Sequence, residues 1–248
     1  MMGVIHDLAL AVQFMTRVPV RSWRLDPERL SRAAAWFPVV GLLVGSVAAL
    51  AYMLLVAHLA RPLAALIAVL VMVIITGGMH EDGLADCADA FGGGWTREDK
   101  LRILKDSRIG SFGAIALFLS LAGRVLLLAT MPAGTVVGYM ISAQVLTRCT
   151  PLPLSVLLKP AREQEGQGRR VAGTISWLTV AFGTAVAIAL TAVILRASAW
   201  QPILAVAIVT AASGLYYERR LGGITGDCMG ATIQLSEIAV YLCGAWVQ

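Results

Sequence analysis

The stretch VVGLLVGSVAALAYMLLVAHL, Val39–Leu59, holds 21 residues without a single Lys, Arg, Asp or Glu. At about 1.5 Å per residue a helix of that length covers the roughly 30 Å hydrocarbon layer of a bilayer. Similar runs recur, and we read spans at Val39–Leu59, Leu63–Met79, Ser111–Met131, Gly134–Leu158, Ile175–Leu195, Pro202–Tyr217 and Gly230–Val247. The second and sixth are short, and the last contains Gln234 and Glu237. The expected fold is all-α: one polytopic membrane bundle over residues 1–248, with six to seven transmembrane helices and an active site facing the cytoplasm. Residues 1–20, with Val4, Ile5, Leu8, Val12 and Met15 at helical spacing, read as an amphipathic interfacial helix.

Composition agrees. Of 248 residues, 58% are hydrophobic and 14% charged, with a mean hydropathy of +0.77. That balance excludes a disordered chain, a secreted disulfide scaffold and an ordinary cytosolic enzyme. The net charge of +5 comes without a basic run interleaved with aromatics. Cationic loops facing anionic lipid explain it better than nucleic acid does. Cys87, Cys149, Cys228 and Cys243 form no C-x-x-C pair, which fits a reduced environment. No basic residue precedes the first apolar stretch, so a cleaved signal peptide is not expected. Long polar segments alternate with short turns, and 16 of the 20 Lys and Arg lie in the long ones. The positive-inside rule then puts the N-terminus and the loops around Asp89, Gly166 and Asp227 in the cytoplasm.

The chemistry concentrates in three segments. In TGGMHEDGLADCADAFGGG, Thr76–Gly94, the residues Asp82, Asp86 and Asp89 fall on one narrow stripe of a helix, with Glu81 about 100° to one side. Stacked carboxylates repel, and the residues between them are Gly83, Ala85 and Ala88 rather than Lys or Gln. A hard divalent cation, such as magnesium held with substrate phosphates, would neutralise them. Glycine pairs and triplets flank the stripe. In TREDKLRILKDSRIGSFG, Thr96 and Asp99 form a capping-box-like start. Lys105 and Arg108, beside Asp106, suit phosphate oxygens, or else snorkel at the membrane surface. GGITGDCMGA, Gly222–Ala231, sets Asp227 in a glycine-rich turn beside Thr225. Glu237, ten residues on, is an intramembrane acid, which is functional by default or else pairs with Arg148 or Arg124. Arg148 sits before Pro151 and Pro153, where a broken helix could line a cavity. Arg17, in FMTRVP, reads equally as a lipid-headgroup contact or a substrate contact. His80 would lie opposite the acidic stripe.

Together, HEDGLADCADAFGGG, KDSRIGSFG and GGITGDCMGA, with FMTRVP upstream, resemble the cobalamin-5′-phosphate synthase (adenosylcobinamide-GDP ribazoletransferase) family from Phe14 to the last span. The resemblance implies a multi-pass bacterial or archaeal inner-membrane enzyme using Mg²⁺. It would transfer the adenosylcobinamide-phosphate moiety from adenosylcobinamide-GDP to α-ribazole or its 5′-phosphate, releasing GMP. The metal set implied is Glu81, Asp82, Asp86 and Asp89, and the catalytic set Asp89, Asp227, Lys105 and Arg108. Ser107 and Asp106 fall in the family's lysine–aspartate–serine–arginine motif, and with Arg17, His80, Arg148 and Glu237 they form the expected substrate-binding set. Membrane lipid is the other implied partner, nucleic acid is not, and a homo-oligomer stays open. Two competing readings are a CDP-alcohol or prenyl-type membrane transferase and a cation transporter. The first lacks its Asp-Gly-x-x-Ala-Arg run, since Leu84, Ala85 and Asp86 follow Gly83. The second expects charges near mid-bilayer rather than at one face.

Overall fold

The computed structural model describes residues 2–20, 27–161 and 175–246. Gly166 and Val247 lie outside the described residues. Twelve α-helices follow one another in the described chain: α1 (Met2–Met15), α2 (Pro27–Ala34), α3 (Phe37–Val56), α4 (Arg61–Thr76), α5 (Met79–Gly93), α6 (Arg97–Ile103), α7 (Ser111–Thr130), α8 (Val136–Thr147), α9 (Pro151–Leu157), α10 (Trp177–Leu195), α11 (Trp200–Leu221) and α12 (Gly226–Trp246). The bundle is apolar outside as well as inside. Leu50 and Leu54 of α3, Phe118, Leu119 and Leu126 of α7, and Leu178 and Val193 of α10 are all exposed. A water-soluble monomer rarely exposes so continuous an apolar surface, whereas lipid tails solvate it.

Four helical runs are long and apolar enough to cross a membrane: Phe37–Val56, Ser111–Thr130, Trp177–Leu221 and Gly226–Trp246. A fifth is the pair Arg61–Thr76 and Met79–Gly93, if this 90° bend is one broken span. That count takes Trp177–Leu221 as one run, which the structure divides as the expected spans Ile175–Leu195 and Pro202–Tyr217 do. Trp177–Leu221 is 45 residues long, and it turns back on itself at Arg196, whose φ is 52°. Gly183 packs on Leu152 while Gly214 packs on Leu154, within the same short α9. Along a straight helix those two glycines would be about 46 Å apart, so α10 and α11 are two arms. The stretch read as one span over Gly134–Leu158 is instead broken, at Arg148–Thr150, into α8 and α9, with Pro151 opening the second.

Close packing follows from small residues. Gly41 and Gly45, one turn apart on α3, face α8 at Gln144 and Ile141, an approach that a larger side chain would prevent. The bend between α4 and α5 falls on Gly77 and Gly78, with φ of 69° and 70°, a left-handed backbone that glycine adopts without strain. At one end of the bundle, Arg61 donates to the Met131 carbonyl, and Gly244 rests on Met131 and Tyr139. At the other end, Arg97 donates to the carbonyls of Leu221 (2.6 Å) and Ala161 (2.9 Å). That strap joins α6 and α11 to the short bridge between Pro160 and Ile224.

The N-terminal helix departs from its expected pattern. Leu10, Ala11 and Met15 are buried, Leu8 and Val12 half-buried, and Val4 and Ile5 exposed. Phe14 stacks on Phe37 at 5.6 Å. The helix therefore docks on α2 and α3 with a face rotated from the sequence reading.

The arrangement makes topology testable. Trp95, between α5 and α6, is exposed, as is Ala197 at the α10–α11 turn. Single cysteines at Trp95 and Ala197, in a background without the four native ones, should react with an impermeant maleimide from opposite sides of the membrane. Labelling of both from one side would refute the layout.

Candidate active site

Helix α5 starts inside the bundle and runs outward along α7 and α12. Its Glu81 end meets Arg124 of α7 and Gln234 of α12, and its Asp89 end meets the first turn of α7. It can lie that close because Gly83 faces Gly230. A Cβ on Gly83 would come within 2.8 Å of the Asp227 carbonyl oxygen and 3.3 Å of the Gly230 Cα. The crossing puts the outward face of α5, carrying exposed Asp82 and half-buried Asp86, beside the first turn of α12, which carries half-buried Asp227. Asp227 was read in a turn; it belongs to the helix, whose start is tied by Thr225, with Oγ1 accepting from the Cys228 N–H at 3.3 Å and donating to Asp227 at 3.3 Å.

The four carboxylates implied as metal ligands do not gather. Among the described residues no three His, Cys, Asp or Glu side chains are grouped so as to hold a metal by themselves. Glu81, rotated from the stripe as the helical arithmetic requires, points inward. Its Oε1 accepts from Arg124 Nη2 (3.0 Å) and Gln234 Nε2 (3.1 Å). Asp89 is buried and accepts from the N–H groups of Gly110 (2.7 Å) and Gly113 (2.8 Å). It thus occupies the position where a helix N-terminus attracts an anion, and those bonds engage both of its oxygens. Asp82 carries no hydrogen bond or ion pair on its carboxylate among the described residues.

The lysine–aspartate–serine–arginine segment lies in the loop between α6 and α7. Lys105, Ser107 and Arg108 are exposed there. Arg108 grips Asp106 through Nε (2.9 Å) and Nη2 (2.6 Å), and its own N–H adds a third bond at 3.1 Å. This guanidinium holds the Asp106 carboxyl down to about 2, so the pair stays ionised at neutral pH. A pocket of about 430 Å³ opens between this loop and α7, lined by Asp89, Asp106, Arg108, Gly110 and Phe112 among others. Preceding it, the Thr96–Asp99 capping box forms as expected, with Thr96 Oγ1 accepting from the Asp99 N–H at 3.0 Å.

Three expected substrate contacts are elsewhere. His80, Arg148 and Glu237 are buried. Arg148 donates to Gln144, at 3.1 Å to its carbonyl and 2.6 Å to its Oε1. Glu237 accepts from Tyr241 at 2.9 Å and from Arg124 at 3.4 Å. Of the two partners weighed for Glu237, Arg124 is the one it meets. His80 packs its backbone on Gly230. Arg17 is exposed, its side-chain stem against Gly77, and its N–H donates to the Ile75 carbonyl at 2.7 Å. Sequence reasoning weighed Arg124 only as a partner of Glu237, and missed that it also pairs with Glu81 and that Gln234 and Tyr241 complete the group. The signal was present: an arginine in the middle of the apolar run Ser111–Met131 is too expensive to be left unpaired.

Together the fold and this end of the bundle define a class, a helical membrane protein that collects carboxylates and cations where its helices leave the apolar zone. The chain matches the Cobalamin-5-phosphate synthase family over residues 7–245 and belongs to that family. It is a transferase of cobalamin biosynthesis. It is 39% identical to the adenosylcobinamide-GDP ribazoletransferase of Ralstonia nicotianae, across 97% of this chain and 95% of that protein. The enzymes of the same name from Polaromonas sp. (40% identical, 96% and 95% covered) and Shewanella woodyi (36%, 94% and 93%) are similar as well. No solved structure matches the chain.

The bonding of Asp89 separates two roles. If Asp89 only ties down the first turn of α7, Asp89→Asn should lose one of two backbone bonds and leave an N–H unpaired, costing about 1–3 kcal/mol of stability, seen in thermal unfolding of the solubilised protein. A large change in the metal concentration needed for activity, at unchanged stability, would instead make Asp89 a ligand.

Proposed function

We propose that the chain transfers the adenosylcobinamide-phosphate moiety from adenosylcobinamide-GDP to α-ribazole or its 5′-phosphate. The products are adenosylcobalamin or its 5′-phosphate, and GMP. The reaction takes place at the cytoplasmic face of the bacterial or archaeal inner membrane. The names of its relatives carry adenosylcobinamide-GDP and a ribazole, which supports that pair of substrates. The observation that supports the reading most is the α5–α12 crossing, which brings Asp82 and Asp86 beside Asp227.

The donor chemistry fits Mg²⁺. Asp82 and Asp86 offer hard oxygens one helical turn apart. Magnesium keeps several waters and takes one or two carboxylates together with substrate phosphates, so a cluster of three protein ligands is not needed. Mg²⁺ held by Asp82 and Asp86 would neutralise the diphosphate of adenosylcobinamide-GDP and favour departure of GMP.

The side chains divide the rest of the work. The 3′-hydroxyl oxygen of α-ribazole attacks the phosphorus joined to the cobinamide arm, and the bond from that phosphorus to the GMP phosphate oxygen breaks. Asp227, half-buried at the α5–α12 crossing, takes the hydroxyl proton, whereas Asp89 is buried and tied to the first turn of α7. Lys105 and Arg108 balance charge on the departing phosphate. Arg108 must exchange Asp106 for phosphate oxygens to do so, and its planar fork suits either partner. Ser107 and Arg17, both exposed, belong to the substrate surface rather than to the reacting atoms.

Two substitutions test this division. Asp82→Asn should lower GMP release at limiting Mg²⁺ by about 100-fold or more while insertion and extraction stay normal; near-normal activity would remove its metal role. Arg108→Gln should lower kcat more than it raises KM for adenosylcobinamide-GDP, because its contact strengthens as charge develops. An unchanged kcat would take Arg108 out of the reaction.

A further inference from the structure

We infer that Arg124 is a positioning residue for the active site. Through Glu81 and Glu237 it sets the register of α5 against α12, and so the approach of Asp82 and Asp86 to Asp227. The Mg²⁺ part of the argument rests on the reading above; the register part does not.

The geometry is that of one cation shared by two helices. Arg124 of α7 is 1% exposed. Its Nη2 donates to Glu81 Oε1 at 3.0 Å and its Nη1 to Glu237 Oε2 at 3.4 Å. Glu81 immediately precedes Asp82 in the first turn of α5, and Glu237 is on the same helix as Asp227. Both halves of the carboxylate site are therefore referenced to one guanidinium. Gln234 cross-braces them, donating from α12 to the same Glu81 oxygen at 3.1 Å, and Tyr241 holds the far oxygen of Glu237 at 2.9 Å.

Rotation explains what the anchor does. Glu81 lies about 100° around α5 from Asp82. Pulling Glu81 inward to Arg124 turns Asp82 outward, and Asp89 at the other end of α5 fixes the same rotation through α7. Backbone contact between Gly83 and Gly230 permits close approach but does not choose a register, because glycine offers no side chain to interlock. A planar guanidinium with two fixed donors does. Ion pairs in an apolar interior are costly and add little net stability. Their charges nevertheless balance here, two buried carboxylates, Glu81 and Glu237, against two buried guanidiniums, Arg124 and Arg148. Such an arrangement is understood as specifying geometry. Residues that orient metal-binding side chains typically change metal affinity or activity by about 10–100-fold when altered.

The native cysteines supply a ruler for the test. Cys87 of α5 and Cys228 of α12 face each other with sulfurs 3.9 Å apart. In a Cys149→Ala/Cys243→Ala background, purified protein in nanodiscs would be oxidised with copper phenanthroline. Formation of the Cys87–Cys228 disulfide would be followed by intact mass, and GMP release measured against Mg²⁺ in unoxidised samples. Arg124→Lys keeps the charge but not the fork, and Glu237→Gln keeps the Tyr241 contact but not the ion pair; both join Arg124→Gln, so that a misfolded variant does not decide the outcome. Among variants that stay monodisperse, disulfide formation should slow by about tenfold, and the Mg²⁺ concentration for half-maximal rate should rise by about 10–100-fold, with KM for α-ribazole within about twofold. A purely structural Arg124 would instead lower the yield of monodisperse protein and leave both readouts unchanged, which overturns the inference. Slowed disulfide formation in an enzyme that needs no Mg²⁺ would keep the register role and reject the metal reading.

Discussion

Two helix backbones touch where Gly83 of α5 meets Asp227 and Gly230 of α12, and the active-site account depends on that contact. A side chain at Gly83 would push the helices apart and separate Asp82 and Asp86 from Asp227. The bend at Gly77–Gly78 delivers α5 to this crossing from the end of α4. The polar groups inside the bundle then hold it there. Membrane helices have no hydrophobic drive to associate with one another, so small residues and buried polar pairs decide their packing. Both devices meet on α5.

The same contact orders the chemistry by depth. Glu81, Arg124, Glu237 and Arg148 form a buried layer, while Asp82 on the outward face of α5 and Lys105 and Arg108 in the α6–α7 loop are exposed. The inner layer is paired within the bundle, whereas in the outer layer the exposed Arg108 is held only by the neighbouring loop residue Asp106. The proposed transfer from a nucleoside diphosphate conjugate needs this separation. In that proposal, cations that release GMP cannot be locked in an apolar interior, and ions that fix helix positions cannot be open to exchange with solvent.

Much of this was legible in the residues. Charge-free runs gave the helices, because a helix facing lipid must satisfy its own backbone and show apolar side chains. The 100° offset of Glu81 already set it apart from the stripe of Asp82, Asp86 and Asp89. The capping box at Thr96 was local, and it formed. What could not be read was tertiary. Asp89 shares the stripe with Asp82, yet it bonds Gly110 and Gly113, more than twenty residues away. The turn at Arg196 was legible, since separate spans end at Leu195 and open at Pro202, but the apolar run Gly134–Leu158 reads as one span and breaks at Arg148–Thr150. Glu237 could be assigned a partner only between two arginines, and the choice rests on which helix faces it.

The central claim is a direct transfer in which the acceptor hydroxyl displaces GMP. It is tested most directly by incubating the purified enzyme in lipid nanodiscs with Mg²⁺ and adenosylcobinamide-GDP, and measuring GMP with and without α-ribazole. The account predicts GMP release only when α-ribazole is present, in equal amount to adenosylcobalamin formed. GMP release without the acceptor, or release uncoupled from the cobalamin product, would contradict it.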